Sequence, residues 1–170
     1  ENLQNSDYLR RLIFDEIISS FLISSEIRKK IKKIKKKEKI FDPNICQKYL
    51  KKFKFILTND QIKAMKEINN DLKSKQRMFR LLQGDVGSGK TIIALIAALN
   101  VIKSGFQVAL MVPTEILAKQ HYNFASDLFG EDISIELLTG KTEYKQKKST
   151  LENIKQNKIK LIIGTHALFQ

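Results

Sequence analysis

Residues 81 to 91 read LLQGDVGSGKT, and this stretch decides what the chain is built around. An apolar run, MFRLLQ at 78–83, leads straight into Gly84-Asp85-Val86-Gly87-Ser88-Gly89-Lys90-Thr91. That is the pattern G-x-x-x-x-G-K-S/T, set between a predicted strand and a predicted helix from Lys90 to about Lys103. Glycines at 87 and 89 allow the backbone to fold into a nest with its N–H groups turned inward. The N-terminus of the following helix adds the positive end of its dipole. Lys90 then reaches β- and γ-phosphates as a point charge, and the Thr91 hydroxyl supplies part of a Mg²⁺ shell. The reading is a nucleotide phosphate site, with Lys90 and Thr91 as its chemical residues.

Outward from this loop the chain alternates. Strand FQVALMV precedes a helix from about Glu115 to Leu128, ISIELL precedes a helix from about Glu143 to Gln156, and IKLIIG follows. Apolar strands separated by helices of ten or more residues specify a parallel sheet covered on both faces. Before the loop, Thr58 or Asn59 caps a helix from about Asp60 to Lys75. The fold class is therefore α/β.

The first third differs. Of the net charge of +13, from 31 Lys and Arg against 18 Asp and Glu, +11 lies between Arg28 and Lys54, where the acids are Glu38 and Asp42. Ile27, Ile31 and Ile34 put a thin apolar stripe on a basic helix, IRKKIKKIKKK. Leu9, Leu12, Ile13, Ile17 and Phe21 repeat at helical spacing before it, in the same or an adjoining helix. Asp42-Pro43 suits the start of a further helix, from about Pro43 to Phe53. Such a charge balance favours a polyanionic partner, nucleic acid or an anionic membrane surface. No run approaches the ~20 apolar residues of a spanning helix, and ENLQNSDYLRRL lacks the features of a secretory signal, so a cytoplasmic location is expected. Cys46 is the only cysteine, which excludes an internal disulfide and a thiolate zinc cluster; it reads as a small packed side chain. His121 has no second ligand at metal spacing.

A phosphate loop alone does not choose among kinases, GTPases, transporters and motors. Phe55-Ile56-Leu57-Thr58-Asn59-Asp60-Gln61 lies before the first strand. Gln61 carries both an amide donor and a carbonyl acceptor, the pair needed to read an adenine edge, and Phe55 offers a stacking face. MVPTEILAKQH, LLTG and IIGTH each bring Thr, Gly or His to the carboxyl end of a predicted strand, where open α/β sheets bind ligands.

GDVGSGKT, VPTEILAKQH, LLTGK and GTHALFQ resemble motifs I, Ia, Ib and Ic of superfamily-two DNA helicases, and FILTNDQ resembles their Q-type stretch. The wording is most similar to the RecG family of bacterial branch-migration helicases. The related coupling-factor and primosomal helicases are alternatives, although the coupling factor usually has a bulky residue at the place of Ser88. The resemblance is specific from about Phe53 onward. It implies a RecA-like first motor domain over residues 55–170, and a helical, lysine-rich segment over 1–54 connecting it to a DNA-binding wedge domain. It implies that Gly84, Asp85, Val86, Gly87, Ser88, Gly89, Lys90 and Thr91 hold ATP phosphates and Mg²⁺, and that Gln61 and Phe55 recognise adenine. Pro113, Thr114, Thr139, Gly140, Thr165 and His166 would line a DNA track; short hydroxyls and strand-end amides suit phosphate oxygens and carry no sequence information. For His166 a neutral, packed side chain is the competing reading. The implied partner is forked or branched DNA. The wedge domain, the acidic Walker B box and the second motor domain with its arginine finger do not lie in these residues, so the chain reads as a piece of a longer motor. A basic nucleotide-binding module without motor activity is the other class left open; a small-molecule kinase is disfavoured by the DNA-type motifs.

Overall fold

The computed structural model describes residues 7–42, 44–52 and 56–169. They divide into two compact units, one from the described part of Glu1–Glu38 with Ser74–Leu81, the other from Lys39–Lys73 with Leu82–Gln170.

In the first unit, Asp7–Lys33 forms one helix, α1, of 27 residues. No glycine or proline interrupts it, and the pairs Arg11–Asp15 (3.2 Å) and Glu26–Lys29 (3.0 Å) sit at helical spacing along it. The helix stops short of the predicted extent. Lys35 instead bridges Gln76 in antiparallel fashion, with the Lys36 N–H donating to the Lys75 carbonyl at 2.8 Å. Further helical turns would stack Lys36 and Lys37 on Lys33, like charges three and four residues apart, whereas pairing with 75–76 satisfies the backbone.

The stretch expected to be a buried strand, MFRLLQ, is not one. Residues 77–83 belong to no ladder, and Met78, Phe79 and Leu81 are exposed. A strand exists only through its ladder, and the described strands pair with one another instead. Phe79 meets Arg28, whose guanidinium lies 5.7 Å from the ring centroid.

The second unit holds helices α2 (Ile45–Lys52), α3 (Asn59–Lys73), α4 (Lys90–Lys103), α5 (Glu115–Phe129) and α6 (Tyr144–Lys155), and strands β1 (Val108–Met111), β2 (Ile135–Leu138) and β3 (Leu161–Gly164). The three strands form a parallel sheet in the order β1-β3-β2. Alternation along β3 separates the two faces. Leu161 and Ile163 enter a cluster with Leu95 and Leu99 of α4 and Leu128 of α5, while Ile162 packs with Leu138, Ile159 and, on α6, Ile154. Helices on both faces are thus observed, as the alternation of elements requires. All four residues of β3 are buried, which is why this strand carries no polar side chain.

The helix predicted from Pro43 to Phe53 appears as α2, entered through the Asp42 carboxylate, which accepts from the Asn44 N–H at 2.9 Å; Pro43 and Phe53 lie outside the described residues. It packs within the second unit, against α4 and α5. Tyr49 meets Phe129 edge-on at 5.5 Å, its hydroxyl donates to Asp132 at 3.0 Å, and Lys48 pairs with the same carboxylate at 2.9 Å. The Lys48 hydrogen bond, then that of Tyr49, holds the Asp132 carboxyl below the usual carboxylate range. Burial pushes the Cys46 thiol up, as suits a packed side chain.

Candidate nucleotide site and strand-end surface

The glycine loop has the geometry its sequence demands. Ser88 N–H donates to the Asp85 carbonyl at 3.2 Å, closing a turn, and Gly87 and Gly89 take φ of +82° and +79°, which side-chain-bearing residues rarely adopt. Gly89 is the N-cap of α4 and makes no side-chain cap, so the first turn of the helix opens at the loop without a side-chain acceptor there. Lys90 folds back over the loop: its Nζ donates to the carbonyls of Gly84 (2.7 Å) and Asp85 (2.6 Å) and lies 3.4 Å from Ser88 Oγ. The ammonium is thereby held at the centre of the nest. A triphosphate fits this arrangement, with two glycines in the left-handed region, uncapped helix amides and a lysine whose present acceptors are weak neutral carbonyls that an anionic phosphate outcompetes. Thr91 is half-buried at the second position of α4, lining a hollow of about 320 Å³ with Gly87, Gly89, Lys90, Ile92 and Phe124. Val86 is fully exposed and turned to solvent.

On the other side of the loop a cleft of about 420 Å³ runs between α3 and the phosphate nest, lined by Thr58, Asp60, Gln61 and Ala64 together with Leu82, Gly84, Asp85, Ser88 and Lys90. Gln61 is anchored at both ends. Its Oε1 accepts from the Thr58 N–H at 2.9 Å while its own N–H donates to Thr58 Oγ1 at 3.3 Å, a capping box that starts α3. Its Nε2 donates to the Ser88 carbonyl at 2.9 Å. The side chain thus lines the cleft, and both of its polar ends hold protein groups. A Cβ on Gly89 would come within 2.5 Å of Gln61 Nε2, so glycine there admits the glutamine as well as the backbone turn. Phe55 lies outside the described residues.

The remaining predicted residues gather at the carboxyl ends of the sheet. Met111 and Leu138 both stand in register with Gly164, so three loops leave from one row. The Val112 N–H donates to Gly164 and the Thr165 N–H to Leu138, at 2.9 and 3.3 Å, extending the ladder one step into the loops. Only glycine fits at 164, since a Cβ would come within 2.1 Å of the Leu138 carbonyl oxygen.

Pro113 and Thr114 are exposed, and Thr114 Oγ1 accepts from the Leu117 N–H at 3.3 Å, capping α5. Thr139 is turned inward. Its Oγ1 accepts from the Lys141 N–H and its N–H donates to Thr142 Oγ1, so its backbone turn, with exposed Gly140, is what faces outward. Thr165 is half-buried, and His166 is exposed at the start of a short 3-10 turn, His166–Phe169, not packed as its competing reading would have it.

Three features escaped the linear reading. Phe124 reaches the hollow beside the glycine loop from the middle of α5, the Ser88 carbonyl serves as the acceptor of Gln61, and Lys141, in the turn after β2, pairs with Glu115 at the start of α5 at 3.0 Å. None has a local signal, because each depends on which helix lies beside which loop. Among the described residues no three His, Cys, Asp or Glu converge as a metal site, and no helix is long and apolar enough to cross a membrane.

Comparison with known proteins follows the same lines. The chain is 45% identical to the ATP-dependent DNA helicase RecG of Aquifex aeolicus over 164 residues, which is 96% of this chain and 21% of that protein. It is 47% identical to that of Bacillus subtilis over 131 residues, 76% of this chain and 19% of the relative. A solved structure of RecG bound to a three-way DNA junction superposes with a TM-score of 0.84 at 41% identity, covering 95% of this chain and 22% of the other. The chain thus spans about a fifth of the length of the relatives it matches. The DEAD/DEAH box helicase model matches residues 58–170, from the Gln61 capping box through the last strand-end loop, and the chain belongs to the DEAD/DEAH box helicase family.

Proposed function

We propose that the chain is part of the first motor domain of an ATP-dependent DNA helicase of the RecG type, which remodels branched DNA such as stalled forks and Holliday junctions in recombination and repair. The observation that carries this reading is the likeness, in both sequence and structure, to a RecG held on a three-way DNA junction. The in-register row of strand-end loops supports it, since such a row tracks a phosphate backbone without reading bases.

In this reading the nest from Gly84 to Thr91 binds the phosphates of ATP. Bound with Mg²⁺, ATP supplies the phosphoryl group whose transfer to water drives the motor. Lys90, now on the Gly84 and Asp85 carbonyls, would hold the phosphates, Thr91 would offer its hydroxyl to the cation, and Gln61 would offer an adenine contact from within its cleft. Pro113, Thr114, Gly140, Thr165 and His166 face the DNA backbone; Thr139 holds the turn that presents Gly140. Helix α1 with the lysine-rich run to residue 54 is the connection to a wedge domain, and a second motor domain completes the ATPase from outside this chain. The setting is the bacterial cytoplasm, where the DNA is.

The test is made on the full-length protein. Lys90→Ala abolishes fork-stimulated phosphate release and fork unwinding while leaving DNA affinity within about twofold, because the strand-end contacts are separate from the nest. Unwinding that survives in this variant would refute the motor reading and favour a nucleotide-binding DNA module.

A further inference from the structure

We propose that Asn100 is a positioning residue for nucleotide recognition: through Asn69 it fixes where α3 stands along α4, and with that the reach of Gln61 to the phosphate nest. The inference rests on the nucleotide reading above and adds to it two residues outside the helicase-type motifs.

Helix α4 is apolar wherever it is buried, with one exception. Its buried residues from Ile92 to Ile102 are isoleucine, leucine and alanine apart from Asn100, which has no exposed surface. The Asn100 Nδ2 donates to Oδ1 of Asn69 on α3 at 2.9 Å, while its own Oδ1 has no hydrogen-bond partner. A buried acceptor left unpaired costs stability, and an apolar residue at this place would avoid the cost. What the amide adds is direction. Met65, Ile68 and Leu72 hold α3 on the core, but apolar contacts attract without direction and do not by themselves fix how far one helix has slid or turned on another. A side-chain hydrogen bond does fix it. Setting the register of packed helices is the best-attested use of a buried polar side chain.

The place of this bond decides what the register controls. Asn69 lies about 12 Å beyond Gln61 along α3, and Asn100 about 15 Å beyond Lys90 along α4. Gln61 meets the Ser88 carbonyl at 2.9 Å, just before α4 begins. The two helices therefore run side by side in the same sense, tied at the loop by Gln61 and at the far end by Asn69 and Asn100. The tie at the loop stands open to the cleft, whereas the far one is shielded by the core. It is the shielded bond that holds α3 in place when a nucleotide enters and competes for the polar ends of Gln61. Clearance at the loop is small, since a Cβ on Gly89 would come within 2.5 Å of Gln61 Nε2. A shift of α3 along α4 takes Gln61 off Ser88, while Lys90 and the nest, which belong to α4 and its loop, stay where they are.

The experiment titrates the full-length protein with ADP and with GDP by calorimetry and records urea midpoints beside them. Asn100→Leu removes the unpaired oxygen and should leave the midpoint at or above that of wild type. Asn69→Ala takes away the one partner of the buried amide and should lower it. Despite these opposite effects on stability, both should bind ADP about two- to tenfold more weakly, with a smaller loss for GDP, because both release the register that serves Gln61. Added to Gln61→Ala, neither should change the ratio of ADP to GDP affinity further. A preference for ADP that followed the urea midpoint, kept in Asn100→Leu and lost in Asn69→Ala, would overturn the inference and leave Asn100 a purely structural residue. So would wild-type preference in both variants, or a further fall of the ratio on the Gln61→Ala background. Wild-type protein that bound ADP no better than GDP would instead defeat the adenine role of Gln61, and this inference with it, an outcome visible before any variant is made.

Discussion

Gln61 offers the sharpest perturbation because its two ends can be separated. Substitution by glutamate retains the acceptor that starts α3, since Glu serves as well as Gln at the third position of a capping box. It removes the donor to the Ser88 carbonyl, which now sits 2.9 Å from Nε2, and places a carboxylate against that carbonyl instead. Alanine removes both contacts. A neutral hydrogen bond contributes about 0.5–1.5 kcal/mol net, so Gln61→Ala costs about 1–3 kcal/mol shared between helix start and loop. Gln61→Glu costs about 1–2 kcal/mol, nearly all of it at the loop, once the repulsion is included. Because Ser88 lies inside the phosphate nest, the loop's share appears in nucleotide affinity, as roughly 5- to 30-fold weaker ADP binding in Gln61→Glu. The assay is calorimetric titration of the full-length protein with ADP and with GDP. The expected pattern is weaker binding of both, with a larger loss for ADP, which alone loses a reader of its base. Wild-type ADP affinity in both variants would refute the argument that this side chain shapes the nest. Equal losses for ADP and GDP would remove the adenine role and leave only the latch.

The other expectations concern activity and the frame that carries it. The 170-residue chain by itself should release phosphate from ATP near background even with forked DNA, since an arginine finger alone is worth about 10³–10⁵ in rate and the resemblance places it in another domain; turnover that depends on Lys90 would contradict this. Gly164→Ala should destabilise the chain by about 2–4 kcal/mol, because a Cβ 2.1 Å from the Leu138 oxygen forces β2 and β3 apart by roughly 1 Å. Gly105→Ala, at φ +86° with open space around it, should cost only about 1–2 kcal/mol of backbone strain, and urea midpoints that reverse this order would refute the steric account. Asp132, whose carboxyl is held low by Lys48 and then Tyr49, contributes stability that is complete above the ordinary carboxylate range and fades as pH falls through its own lower value. Asp132→Asn should therefore flatten the loss of stability below about pH 4, read from urea midpoints across pH, and an unchanged acid limb would count against the anchor.

What the sequence determined by itself is what local chemistry controls. Glycines 87 and 89 had to be glycine because the nest needs positive φ, and that is a property of single residues. The succession of β1, β2 and β3 and the helices between them followed from apolar runs and their spacing, and Thr58 or Asn59 marked the start of α3, although only the structure paired Thr58 with Gln61. Tertiary structure decided which groups meet. MFRLLQ has the composition of a buried strand, yet a strand is made by its neighbour, and the described strands pair elsewhere. Gln61 was legible as a donor and acceptor, but its Ser88 partner lies 27 residues away, and the anchor of Tyr49 on Asp132 spans 83. Thr139 carried the right hydroxyl for a phosphate and turned it inward, while Lys141, two residues on, faces out beside an acid at the start of α5. Backbone dihedrals and caps are settled within a few residues, where sequence distance is spatial distance. Pairing, burial and ion-pair choice are settled by the sheet, which brings together residues that the sequence keeps apart.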